Sequence, residues 1–234
     1  MNDATIKRLN EINREFYRIT AESFDESRGR SWPGWEVLLP YLKLPLTVLD
    51  IGCGNGRFGV FLAQKLGADL VYRGMDSSSA LLERARAALS GLEARLEHRD
   101  VIENPPDTGE YDVVALFGVL HHVPGNWQRQ EFMRALAQRV APGGYLAFAV
   151  WRFYDYERFR QRIVPWPSDL DADPGDCLLD WRRGVHALRY CHYVDDAEHK
   201  KLIAATGLAE IITYRADGRT SDLNQYSLLR RDPA

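Results

Sequence analysis

Val48-Leu49-Asp50-Ile51-Gly52-Cys53-Gly54-Asn55-Gly56 is the stretch on which the fold turns. The β-branched and apolar run from Leu46 to Ile51 is bounded by glycines and reads as a strand buried on both faces, as in a parallel sheet. It ends in Asp-x-Gly-x-Gly-x-Gly, a turn in which the missing Cβ atoms allow positive φ and a close approach of bare backbone to a ligand. The helix that follows, Phe58 to Leu66, offers free N–H groups in its first turn, which suit a carboxylate or a phosphate.

Working outward, Leu70 to Met75 reads as a second strand and Ser79 to Leu89 as a second helix, with Ser77 to Ser79 able to cap it. Ala94 to His98, Tyr111 to Phe117 and Tyr145 to Val150 read as further strands, with Trp127 to Val140 as the helix before the last of them. Strands alternating with helices predict an α/β fold with a mostly parallel sheet covered on both faces. Upstream, Thr5 to Phe24 carries Ile6, Leu9, Ile12, Phe16 and Ile19 at three- and four-residue spacing, the stripe of an amphipathic helix packed on the main body. Downstream, the regularity stops at Trp151, and Arg152 to Leu188, rich in Pro, Asp and Arg, reads as an insertion or lid. Asp196 to Thr206 is a predicted helix, and Leu208 to Tyr214 and Gln225 to Arg230 are predicted strands. The expected organisation is one domain: a helical cap over residues 1–44, a ligand-binding core over 45–151, an insertion or lid over 152–190, and completion of the sheet over 191–234.

The 234 residues suit a single core of this kind. No apolar run approaches the roughly 20 residues needed to cross a bilayer, and residues 1–10 lack the pattern of a secretory signal, so no membrane partner and a cytoplasmic location are expected. Cys53, Cys177 and Cys191 show no CxxC pairing, which argues for reduced thiols and no metal. The net charge of −3 gives no global attraction to phosphate backbones. Residues 1–40 hold six Lys/Arg against seven Asp/Glu and residues 151–190 hold seven against seven, so no basic stripe shows in the sequence.

Acids at the ends of successive strands sharpen the ligand. Asp76 closes the second strand, twenty residues past Gly56, where a carboxylate accepts from the hydroxyls of a ribose. Asp100, in His98-Arg99-Asp100-Val101, follows the third strand, where it would accept from an adenine amino group. Dinucleotide binding is the rival, but GxGxxG would need a glycine at position 57, which is Arg57. The Asp50 to Gly56 turn, Asp76, Asp100-Val101, Tyr111-Asp112-Val113-Val114 and Ala141-Pro142-Gly143-Gly144 together resemble the class I S-adenosylmethionine (SAM)-dependent methyltransferases. That resemblance covers Leu46 to Val150. It implies a Rossmann-like seven-stranded sheet whose last strand is antiparallel and SAM as cofactor. Gly52, Gly54 and Gly56 would border its amino-acid portion, Asp76 with Ser77 its ribose, Asp100 with Val101 its adenine, and Phe117 the same crevice. Asp50 would orient the loop or reach the cofactor's amino group.

For the methyl acceptor, Phe117-Gly118-Val119-Leu120-His121-His122-Val123 follows the fourth strand and offers His121 or His122 as a base. An already ionised carboxylate needs none. Adjacent histidines are expected to diverge, which disfavours a shared metal. The flanks narrow the family: residues 24–33 (Phe-Asp-Glu-Ser-Arg-Gly-Arg-Ser-Trp-Pro), His121-His122, Arg189-Tyr190-Cys191-His192-Tyr193 and Asn224-Gln225-Tyr226 resemble the tRNA wobble-uridine carboxymethyl methyltransferases. The run Asp222 to Gln225 departs from that family's pattern. The resemblance implies a tRNA partner, esterification of a 5-carboxymethyluridine carboxylate, and an activating partner subunit such as eukaryotic relatives use. On physical grounds Arg28, Arg189 or His192 would hold the acceptor carboxylate, and Trp32 or Trp35 would stack on an unpaired base. Two alternatives stand beside this: a small-molecule methyltransferase closed by residues 152–188, and a SAM-binding subunit without turnover.

Overall fold

The run from Leu46 to Ile51 forms an interior strand of a mixed sheet. A computed structural model describes residues 1–26, 30–183 and 185–233. In chain order the elements are α1 (Asp3–Glu26), a 3-10 segment at Pro33–Tyr41, β1 (Leu46–Ile51), α2 (Arg57–Leu66), β2 (Leu70–Asp76), α3 (Ser79–Ala88) and β3 (Glu93–His98). They continue with β4 (Tyr111–Phe117), α4 (Asn126–Ala137), β5 (Val140–Trp151), α5 (Glu157–Arg160), β6 (Ile163–Val164), β7 (Asp176–Arg183), β8 (Val185–His192), α6 (Asp196–Thr206), β9 (Ala209–Ala216) and β10 (Asn224–Arg230).

Among the described residues, seven strands lie side by side in the order β3-β2-β1-β4-β5-β10-β9. The neighbours from β3 to β5 pair in parallel, whereas β10 is antiparallel to both β5 and β9. Its reversal lets the chain finish inside the sheet without another crossover. Alternate side chains of each central strand feed two separate cores: Val48, Tyr72, Val113 and Ala115 on one face, Leu49, Ile51, Met75, Val114 and Leu116 on the other. Burial on both sides is why β1 and β4 read as continuous apolar runs instead of alternating ones.

Residues 152–188 correct the expectation of an irregular insertion, because β6, β7 and β8 form a second, antiparallel sheet. Its pattern is masked in the sequence because both faces are covered. Leu178 and Tyr190 pack with Leu9 of α1, while Cys177, Leu179 and Cys191 pack with Phe153. Helix α1 lies against β8 with Leu9 and Phe16 fully buried, but Ile19 of the predicted stripe is 36% exposed. The buried face instead takes Thr5, Asn10, Asn13 and Thr20. Asn13 accounts for this polar choice: its Oδ1 accepts from the Tyr190 backbone N–H at 2.9 Å, and its Nδ2 donates to the His122 carbonyl at 3.5 Å.

Candidate active site

The sheet ends in a loop that only glycine could form as it stands. Gly52, Gly54 and Gly56 have φ of 69°, 55° and 78°, in the left-handed region closed to most side chains. A Cβ on Gly52 would fall 2.2 Å from Val119 Cγ2, whereas one on Gly54 would meet nothing within 4 Å, so Gly54 shows bare main chain to open space. The Gly54 N–H donates to Asp76 Oδ2 at 2.8 Å, and the Ser78 N–H donates to Asp76 Oδ1 at 2.8 Å. One carboxylate thus ties the loop after β1 to the end of β2 and to the start of α3.

This loop floors an open cleft that also takes in Asp50, Asp76, Ser77, Asp100, Val101, Phe117 and Gly118. Eight of the nine sequence-predicted cofactor residues therefore converge; Gly56 does not line the cleft, and a Cβ there would fall 2.8 Å from Leu89 and 3.2 Å from Ala85. The opposite wall was not foreseen: Asn10, Asn13, Arg14 and Tyr17 of α1 line the same cleft. The polar positions of α1 on its apolar-spaced face were the available signal. Asn10 is 7% exposed, and its Oδ1 has no hydrogen-bond partner among the described residues.

Two of the acids are held in unusual states. Asp50 is 3% exposed and accepts from the Tyr72 hydroxyl at 2.5 Å. Burial pushes its pKa up to about 7 with help from nearby Asp76, against the pull of the Tyr72 hydrogen bond and of Arg57. The Asp76 carboxyl is also raised by burial, opposed by the N–H groups of Ser78 and Gly54. Asp100 is engaged differently. Its Oδ1 accepts from the backbone N–H groups of Ile102 and Glu103 at 3.1 and 3.3 Å, and its Oδ2 pairs with Arg14 at 3.2 Å.

The candidate acceptor residues separate. His122 lines the cleft, while His121 is buried behind it. Their rings do not diverge as expected: the centroids are 4.1 Å apart, and the ligand atoms of His121, His122 and Cys191 all lie within 4.8 Å of one another. Burial pushes the Cys191 thiol up to about 12, so it stays protonated at neutral pH, unlike a metal-ready thiolate. Arg189 does not line the cleft; it is 8% exposed, with its guanidinium stacked 4.6 Å from the Trp151 ring and 5.3 Å from Phe16. His192 lies away from the cleft as well, with Nδ1 2.7 Å from Asp176 Oδ1 and Nε2 2.6 Å from Glu198 Oε2. Both ring nitrogens are used in the interior, which leaves them no place in acceptor binding. Trp32 does not line the cleft itself but packs behind two residues that do, 5.5 Å from Trp35 and 6.4 Å from Phe117 between ring centroids. Arg28 lies outside the described residues. The Asn224 to Tyr226 run serves packing: Asn224 Nδ2 and the Tyr226 hydroxyl donate to Asp217 Oδ2, and Asp217 Oδ1 accepts from the Gly34 N–H, pinning the Pro33–Tyr41 segment to the sheet.

A family profile described as "Methyltransferase domain" matches residues 26–213. The chain belongs to this methyltransferase family. SAM is the methyl donor. Among curated relatives of this methyltransferase, a tRNA (carboxymethyluridine(34)-5-O)-methyltransferase from Schizosaccharomyces pombe is 28% identical over 219 residues, covering 85% of this chain and 89% of the relative. A probable tRNA methyltransferase 9B from Bos taurus is 27% identical over 159 residues, 67% of this chain; the match spans 33% of that longer relative. Among solved structures, a 1,6-didemethyltoxoflavin-N1-methyltransferase from Burkholderia thailandensis, bound to its substrate and S-adenosylhomocysteine (SAH), superposes with a TM-score of 0.68 at 17% identity. That superposition covers 99% of this chain and 92% of the other and reflects the shared fold.

The cleft of this methyltransferase suits its donor in chemistry. Each Asp76 oxygen holds one backbone N–H and retains acceptor capacity for a ribose hydroxyl. The partnerless Asn10 Oδ1 is a buried acceptor awaiting a donor such as an amino or hydroxyl group.

Proposed function

We propose that this methyltransferase esterifies a carboxylate, with the 5-carboxymethyl group of a wobble uridine in tRNA as its acceptor. The observation that carries the carboxylate reading is the state of His122, the candidate base that reaches the cleft. Its Nδ1 is 2.8 Å from the Tyr190 carbonyl and its Nε2 is 2.8 Å from the Tyr17 hydroxyl. A base committed at both nitrogens suits an acceptor that arrives already ionised. The near full-length match to the fission-yeast carboxymethyluridine enzyme supports the RNA assignment.

Bound SAM supplies an electrophilic methyl group on a sulfonium. The chain's own part is to orient and to dry the reacting groups. Gly52 to Gly56 would hold the amino-acid portion, Asp76 and Ser77 the ribose, and Asp100, Val101 and Asn10 the adenine. Phe117, Trp35 and Tyr17 wall the side next to Gly118, where an acceptor would sit and where their rings exclude water.

Labelled SAM incubated with tRNA bearing 5-carboxymethyluridine should transfer label to the RNA, and mild base should release it as expected of an ester. A base-stable label, or none, would turn the assignment to the second reading, a small-molecule methyltransferase. That reading draws support from the inward stacking of Arg189, which removes one cation from any RNA-facing surface. An additional subunit, if the chain needs one, would appear as turnover recovered on adding lysate to an inactive but SAH-binding protein.

A further inference from the structure

Tyr72 sits midway along β2 and is fully buried, yet its hydroxyl reaches a side chain that lines the cleft. It donates to Asp50 Oδ2 at 2.5 Å. The other oxygen, Oδ1, accepts from no group among the described residues and is not sealed from solvent, so it opens on the cleft that Asp50 lines. A phenol O–H held in the interior grips a carboxylate by one oxygen and leaves the second to a ligand.

Two glycines make room for the ring that carries this hydroxyl. Gly59 lies inside α2, where glycine is a poor helix former, and Gly74 lies inside β2. Neither has the positive φ that would itself require glycine. Space does: a Cβ on Gly59 would fall 2.8 Å from Tyr72 Cε2 and 2.9 Å from Leu89, and one on Gly74 would fall 3.0 Å from Tyr72 Cε1 and 2.8 Å from Cys53 Sγ. The two edges of the ring thus rest on two bare positions. Gly74 is also the β2 partner of Asp50, so the ring, two residues back on the same face, passes over an empty site to reach the acid.

The titratable groups around Asp50 are Tyr72 and Asp76 of β2, Cys53 of the loop and Arg57 of α2; its β4 partner, Ala115, adds no charge. Burial pushes the Cys53 thiol well up, so it stays neutral. Burial and Asp76 oppose an ionised Asp50, whereas the Tyr72 bond and Arg57 favour it.

We propose that Tyr72 is a positioning residue of the donor site: carried between Gly59 and Gly74, its hydroxyl keeps the Asp50 carboxylate ionised and aimed into the cleft. This rests on the cleft being the SAM site and on Asp50 meeting a cationic group of the donor.

Calorimetric titration with SAH between pH 5 and 9 tests it. Tyr72→Phe keeps the ring and removes the hydroxyl. The rise of SAH affinity with pH should move upward by about one pH unit, a loss of about tenfold near and below pH 7 that narrows above about pH 8. Gly59→Ala leaves the hydroxyl but displaces the ring, and it should move the profile in the same direction. Melting temperatures of both variants report any folding defect. A lowered melting temperature with the wild-type pH profile would overturn the proposal and leave Tyr72 as core packing, and so would an SAH affinity independent of pH in the wild type. A wild-type protein that binds no SAH at any pH would instead sink the donor site itself, and this proposal with it.

Discussion

The Tyr17 hydroxyl lies 2.8 Å from His122 Nε2, in a hydrogen-bond chain that ends at the Tyr190 carbonyl. A carbonyl only accepts, so His122 carries a proton on Nδ1; the neutral ring would accept from Tyr17 at Nε2, and the imidazolium would donate to it. Tyr17 therefore meets the cleft as a residue of helix α1 whose hydroxyl is bonded to the histidine.

If the acceptor is a carboxylate, this chain positions and does not remove a proton. Tyr17→Phe is then expected to lower kcat less than about tenfold, with SAH affinity intact. General base catalysis contributes roughly 10²- to 10⁴-fold, so a loss of that size would show that the pair withdraws a proton and that the acceptor is a hydroxyl or an amine.

Asp50 predicts a pH dependence of cofactor binding. Its folded-state pKa stands near 7, above the roughly 3.9 of an unfolded aspartate. An acid raised in this way stabilises the ligand-free fold most at low pH, and that contribution fades as pH rises toward 7. A bound ammonium would reverse the preference by favouring the carboxylate. SAH affinity should therefore fall by up to tenfold per pH unit below about 7, and binding near pH 7 should release protons, measurable by calorimetry in buffers of different ionisation enthalpy. Flat affinity between pH 5 and 8 would remove Asp50 from contact with the amino group.

Asp76→Ala removes both the ribose acceptor and the latch on the Gly54 N–H. Hydrogen bonds to charged groups contribute about 1.5–3 kcal/mol each, so SAM affinity should weaken by one to two orders of magnitude or more. Asp76→Asn, which keeps the shape, should recover only part of it. Equal affinity for all three proteins would place the ribose elsewhere.

The legibility of these sites in the sequence follows from their physics. The glycine turn and Asp76 act through local backbone geometry at a strand end, so residue type and spacing announce them. The mostly parallel sheet was readable for the same reason, from β–α alternation, whereas its antiparallel last strand was implied only by the family resemblance. The wall supplied by α1 was not readable, because Asn10 and Tyr17 reach the cleft through packing against β8, over 160 residues away in sequence. The β7–β8 hairpin was missed because a strand covered on both sides loses its alternation. His192 misled for a related reason: in sequence, a histidine destined for the interior is indistinguishable from one aimed at a ligand.

His192 is better tested as a structural centre. Glu198, which holds its Nε2, also binds Arg129 Nε at 2.6 Å, and Asp176, which holds Nδ1, also accepts from the Tyr190 hydroxyl at 2.7 Å. Burial pushes the imidazole pKa down, but the two carboxylates outweigh it and the net shift is upward. Burial likewise raises Asp176 and Glu198, and the bonds from His192 bring both below their ordinary values. The histidine's contribution is complete below its unfolded pKa of about 6.5 and is lost as pH climbs through the raised value. The carboxylates' contribution is lost as pH falls through their lowered ones. His192→Ala should cost about 3–5 kcal/mol, seen as a large drop in melting temperature. Because none of these residues lines the cleft, SAH affinity of the folded fraction should hold; a selective loss of SAH binding without destabilisation would contradict this placement.

Asn13 joins helix α1 to the strand that carries Tyr190 and to the turn that carries His122. The α1 wall of the cleft and the turn beside it accordingly share one anchor: any displacement of α1 that breaks the Asn13 bond to Tyr190 also frees the His122 carbonyl. An enzyme stripped of its first helix would forfeit one whole wall of the cleft and the tie to the histidine turn at once.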